Sequence, residues 1–115
     1  MILTRQQAIA EHRKMWRWIA ELIEKVKRCV DIVDAKAEYL SEKKYKTSLK
    51  NECFLCEYGF QFDDEFCKYC PVKFPEEEPD ECFGGLYHKV IYAETWQEQA
   101  ALARQIAELP EREDV

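Results

Sequence analysis

The sequence predicts a mainly α fold: a long amino-terminal helix packed with a shorter carboxy-terminal helix, and an irregular, cysteine-bearing lobe between them in the chain. Three observations carry that expectation. Residues 4–40 contain neither Gly nor Pro and place an apolar side chain every three or four positions. Residues 95–109 repeat the same helical spacing. The intervening stretch 52–92 holds five of the six cysteines and three of the four prolines, a composition that suits turns rather than long regular elements. At 115 residues the chain is long enough for one domain, 1–115, with a small core.

Thr4 followed by Gln7 reads as a capping box, so the first helix starts there. Its apolar positions are Ile9, Trp16, Ile19, Ile23, Val26, Val30, Val33, Ala37 and Leu40, with His12 at the one missing step. That alternation of three and four is the seam of a coiled coil, and it predicts a single helix over 4–40. Met15, Trp18, Leu22, Cys29 and Ile32 form a second stripe beside the seam. The apolar face is therefore wider than one partner helix requires, and a homodimer through the long helix is an expectation that follows. Residues 41–51 are a polar, basic connector.

Within the lobe, Tyr58, Phe60 and Phe62 alternate ahead of Asp63-Asp64, the pattern of a short strand and turn. Pro71, Pro75 and Pro79 exclude long regular structure beyond them, and Glu76-Glu77-Glu78-Pro79-Asp80-Glu81 is an exposed acidic loop. Gly84-Gly85 marks a turn. Leu86 with Val90 and Tyr87 with Ile91, each pair four apart, favour a short helix over a strand for 86–92. Thr95 and Glu98 make a second capping box, and Trp96, Leu102, Ala103, Ile106, Ala107 and Leu109 give a helical stripe that Pro110 ends. Residues 110–115 are a charged tail.

Cys53-Phe54-Leu55-Cys56 and Cys67-Lys68-Tyr69-Cys70 are two CxxC pairs separated by ten residues. Two intervening residues let the chain bend so that both sulfurs face one ion, and four thiolates in a tetrahedral array suit zinc. Cys53, Cys56, Cys67 and Cys70 are the expected ligands of one structural Zn2+, with Cys82 or His88 the candidate to replace one of the four. A two-metal cluster, an iron–sulfur cluster and no metal at all are the remaining alternatives. The mainly α fold thus gains a zinc-stapled irregular, short-β lobe, the kind of staple small domains use to supplement a thin core. A disulfide framework is disfavoured because such frameworks belong to secreted domains, and Met1-Ile2-Leu3-Thr4-Arg5 turns polar too soon for a secretory signal. Cys29 is expected as a buried free thiol, His12 as a packed, hydrogen-bonded histidine, and His88 as a surface residue.

Charge narrows the function. Residues 1–50 carry 12 Lys+Arg against 7 Asp+Glu, whereas residues 51–115 carry 5 against 16. The halves should attract each other. An acidic whole, with a net charge of −6, argues against nonspecific binding to nucleic acid or membrane surfaces. No apolar run approaches the roughly 20 residues that span a bilayer. Catalysis lacks its usual groups: there is no histidine–carboxylate–nucleophile set and no Gly-rich phosphate loop, and a four-thiolate zinc has no open position. The expected protein is a non-enzymatic, cytoplasmic one that binds a protein partner. A zinc-dependent nucleic-acid-binding or transcription accessory protein is the alternative. It rests on His12-Arg13-Lys14-Met15-Trp16-Arg17-Trp18, which interleaves basic and aromatic residues, and on Lys25-Val26-Lys27-Arg28 and Lys43-Lys44-Tyr45-Lys46, which extend the basic half.

Ile9-Ala10-Glu11-His12-Arg13-Lys14-Met15-Trp16-Arg17-Trp18-Ile19-Ala20, Cys53-x-x-Cys56-Glu57-Tyr58 and Cys67-x-Tyr69-Cys70-Pro71 resemble small cysteine-motif proteins of bacteriophages and prophages. The likeness continues through Gly85-Leu86-Tyr87 and Trp96-Gln97-Glu98 to Leu102-Ala103-Arg104-Gln105-Ile106-Ala107-Glu108-Leu109-Pro110. The resemblance implies expression inside an infected bacterium and action by binding a host protein, including inhibition of a host defence or redirection of host machinery. Only the cysteines transfer as functional residues.

Overall fold

The computed structural model of the chain describes residues 4–42, 54 and 86–111. They form four helices: α1 (Arg5–Val26), α2 (Ile32–Glu42), α3 (Leu86–Ile91) and α4 (Trp96–Ala107). Thr4 starts α1 as its sequence requires. The Thr4 hydroxyl accepts the Gln7 amide at 3.1 Å while the Gln7 side chain accepts the Thr4 amide at 2.9 Å. Thr95 starts α4 by accepting the Glu98 amide on its hydroxyl at 3.2 Å. The short helix favoured for 86–92 is present as α3. The strand and turn expected near Tyr58–Phe62 lie outside the described residues, as do the acidic loop and most of the connector.

The single helix expected over 4–40 is two helices. Lys27 closes α1 in the left-handed region, at φ 54° and ψ 45°, with its amide donating to the Ile23 carbonyl at 2.8 Å. Asp31 then opens α2, its carboxylate accepting the Asp34 amide at 3.0 Å. The break needs no Gly or Pro because the backbone groups it frees are satisfied elsewhere. Val30 loses its helical partners, and the buried amide of Gln99 takes both of its polar groups. The Val30 N–H donates to Gln99 Oε1 at 2.8 Å, and Gln99 Nε2 donates to the Val30 carbonyl at 2.9 Å.

The break also shifts the seam. α1 buries Ile9, His12, Trp16, Ile19 and Ile23 as the heptad alternation predicts. Past the turn the buried set is Ile32, Ala35, Lys36, Tyr39 and Leu40, while Val26 is 37% and Val33 51% exposed. α1 makes its most extensive contact with α4, α3 packs on α4, and α2 folds against α1. Bonds between α1 and α4 join His12 to Ile106 and Glu24 to Arg104, so the two helices are antiparallel. Ala100, Ala103 and Ala107 give α4 a small-residue face against which Trp16, Ile19 and Ile23 are buried. The seam on the first helix is thus occupied by α4 within one chain.

The aromatic side chains close the core. Trp16 meets Tyr87 edge to face at 6.0 Å, and Tyr39 links Trp18, at 5.5 Å, to Phe54, at 6.4 Å. Trp96 packs half-buried against the same cluster. No described helix is long and apolar enough to cross a membrane.

Two substitutions test this arrangement by urea unfolding monitored by circular dichroism. Gln99→Leu should lower stability by about 1–3 kcal/mol, because it strands the polar groups of Val30 and the Val90 carbonyl. Lys27→Gly should raise it by about 0.5–1 kcal/mol, because glycine occupies the left-handed region without a Cβ clash.

Candidate functional site

The expected zinc ligands Cys53, Cys56, Cys67 and Cys70 lie outside the described residues, as does Cys82. Phe54, which stands between the first two, is described. Its side chain is fully buried in the core, edge to face with Tyr39. The first CxxC pair therefore brackets an anchor to α2, through a position that spacing alone marks only as a filler. His88 is exposed on α3 and stacks against Tyr92, with ring centroids 4.6 Å apart. Among the described residues no three His, Cys, Asp or Glu side chains gather as a metal site.

Cys29 corrects an expectation. It is an exposed free thiol rather than a buried one, because the turn at 27–31 removes it from the helix face on which its spacing placed it. The thiol donates weakly to the Ala93 carbonyl at 3.5 Å. His12 is the packed, hydrogen-bonded histidine that its sequence position suggests. A carbonyl only accepts, so the 3.0 Å bond from Nε2 to the Ile106 oxygen fixes the ring proton on Nε2. Nδ1 is buried without a partner.

The basic and aromatic run on α1 is engaged inside the molecule. Arg5 pairs with Glu111 at 2.7 Å, Arg17 with Glu108 at 2.7 Å, and Arg13 donates to the Leu109 carbonyl at 3.3 Å. His12 and Arg13 thus serve carbonyls at and just beyond the last turn of α4. Trp16 is buried and Trp18 half-buried. The attraction expected between a basic first half and an acidic second half is realised here, through α1 and the end of α4.

Sequence reasoning missed two buried polar side chains. Gln99 lies on the apolar stripe of α4, three residues after Trp96 and four before Ala103, and its Nε2 also donates to the Val90 carbonyl at 3.1 Å. Lys36 is only 5% exposed; its ammonium donates to the Tyr87 hydroxyl at 2.8 Å and lies 4.4 Å from the Tyr87 ring centroid and 5.5 Å from that of Trp16. Each was legible as a polar residue in step with an apolar stripe.

Between α1 and α2 runs an open trough made of two adjoining depressions, of about 330 and 320 Å³, that share Leu22 and Glu38. Trp18, Leu22, Val26 and Val30 supply its apolar surface. Exposed carboxylates rim it: Glu21 on α1, Asp31 before α2, and Asp34, Glu38 and Glu42 on α2. Lys25 and Arg28 are the basic residues among its walls. The second stripe of the sequence is therefore covered only in part. Met15 and Ile32 are buried, Trp18 and Leu22 are half-buried, and Cys29 sits at the exposed end of the trough.

Beyond the trough, Glu24 is held by Arg104 through two hydrogen bonds, one from Nη2 and one from Nε, the latter 3.3 Å long. Chiefly through those bonds, Arg104 lowers the Glu24 carboxyl below its ordinary value of 4.5, and Glu24 in turn raises the guanidinium. A lowered carboxyl gives stability that is present above its unfolded value and lost as pH falls through the folded one. In an NMR titration Glu24 should therefore titrate below the ordinary glutamate value of 4.5, and Arg104→Gln should return it upward. An unchanged midpoint in that variant would show the pair is not formed in solution.

No known protein family, curated protein or solved structure matches the chain, so its function is argued from its own residues.

Proposed function

We propose that this chain is a small zinc-binding protein that acts without catalysis, by binding a protein partner. In this reading Cys53, Cys56, Cys67 and Cys70 hold a structural zinc that shapes the lobe between α2 and α3, and Phe54 ties the first ligand pair to the core. The resemblance to bacteriophage cysteine-motif proteins points to the cytoplasm of an infected bacterium. The partner is then a host protein, inhibited as a defence factor or redirected as part of host machinery.

The observation that carries the binding reading is the trough between α1 and α2. Its half-buried Trp18 and Leu22 belong to the second stripe, which the chain's own helices leave partly open. A partly open apolar stripe with a polar rim is the usual anatomy of a protein-binding surface.

The nucleic-acid alternative keeps Lys25, Lys27 and Arg28, while the run at 12–18 is partly engaged within the molecule. Arg13 and Arg17 hold the segment after α4, and Trp16 is in the core. Reversing Arg13 or Arg17 would disturb the fold as well as any DNA contact. Lys27 is the cleaner test, because it makes no ion pair among the described residues and lines neither depression of the trough.

Two measurements test the reading. Metal analysis of the purified full chain should find about one zinc per chain, lost in the paired substitution Cys53→Ser, Cys67→Ser. Affinity capture from infected cells, followed by mass spectrometry, should recover one host protein, and the Lys27→Glu variant, whose change lies outside the trough walls, should recover it too. Tight, salt-sensitive DNA binding with no host protein captured would overturn the reading.

A further inference from the structure

The chemistry of the trough specifies the kind of partner it fits. We infer that the trough between α1 and α2 docks a basic, amphipathic helix of a partner protein. This inference rests on the protein-binding reading above and deepens it.

Charge is the first argument. Glu21, Asp31, Asp34, Glu38 and Glu42 face Lys25 and Arg28 around the trough, leaving a net excess of carboxylates. None of the five forms an ion pair among the described residues. Glu24, Glu108 and Glu111, which lie outside the trough, are each tied to an arginine. Five unneutralised carboxylates along one apolar depression favour a cationic occupant and repel nucleic acid and anionic lipid alike.

Shape and hydrogen bonding are the second. The α2 wall from Asp31 to Glu42 extends over about 16 Å at the helical rise, the length of about three turns of a partner helix. The walls are helices whose backbone groups are already bonded within themselves, so the trough offers no edge to which an extended strand could add. Recognition must come from side chains alone. An apolar stripe would meet Trp18, Leu22 and Val26, and flanking Lys or Arg would meet Glu38 and Glu42 on one side and Glu21 on the other.

The test uses the full chain and a labelled amphipathic helix of about 15 residues built from Leu and Lys, followed by fluorescence anisotropy. The peptide should bind, and its counterpart with Glu in place of Lys should not. Glu38→Lys, at the residue both depressions share, and Val26→Asp, at the exposed apolar wall, should each weaken binding by about fivefold to tenfold. Glu111→Lys makes the same charge change far from the trough and should leave affinity within about twofold. Circular dichroism confirms that each variant is folded. Equal weakening by Glu38→Lys and Glu111→Lys, equal binding of a Lys peptide that lacks Leu, or no binding at all would overturn the inference.

The two readings fail separately. A captured host protein that still binds the Glu38→Lys variant overturns the docking site and leaves the protein-binding function standing. Absence of any captured protein while the Leu/Lys peptide binds at the trough counts against that function and supports the site.

Discussion

The buried amide of Gln99 is the contact on which the arrangement of helices depends. Its oxygen accepts the Val30 N–H, and its nitrogen donates to the carbonyls of Val30 and Val90. One side chain thus satisfies the turn between α1 and α2 and the end of α3 from a position inside α4. A polar group this deep is tolerated only when its donors and acceptor are bonded, and here both N–H donors and the oxygen each have a backbone partner. The amide behaves as a short piece of peptide ladder, and the chain is free to leave the helix at Val30 because that ladder receives it. The direction in which α2 leaves the turn, and with it the trough, follows.

Electrostatics then set the molecule's outer character. Three arginines of α1 are drawn to the end of α4 and the segment after it, where terminal carbonyls and two glutamates concentrate negative potential. Each exposed pair is worth little alone. Their collective effect is to tie three cations of α1 to the other end of the described chain. Asp34, Glu38 and Glu42 on α2 have no such partners among the described residues, and they stand beside the partly open apolar stripe.

Much of the helical framework was legible in the sequence, and the reason is local chemistry. Thr4 and Thr95 act as caps, Leu86–Ile91 is helical, and His12 packs where the seam needed a residue. The break at 27–31 was not legible, because its compensation comes from Gln99, about seventy residues away, and no spacing rule registers a partner at that distance. The mistaken burial of Cys29 follows from the same omission, as does the shift of the α2 seam from Val33 to Ile32 and Ala35. For the candidate site, the second stripe was visible as apolar spacing, but its acidic rim was not. Asp31, Asp34 and Glu38 stand on neither apolar stripe of the sequence. They became a wall only when α2 folded back.

The pairing of α1 with α4 has a consequence for how the molecule is made. His12 and Ile106 are 94 positions apart, and Arg5 and Glu111 are 106 apart. Helical proteins usually fold quickly because most of their contacts are local. This one places its central contact between the two ends of the described residues, so the core cannot close until α4 has been synthesised. Loop-closure entropy grows only slowly with length, so the native state loses little by this topology. The nascent chain, however, presents Trp16, Ile19 and Ile23 uncovered until α4 arrives. The first helix is therefore the segment most exposed to chaperones and proteases during synthesis.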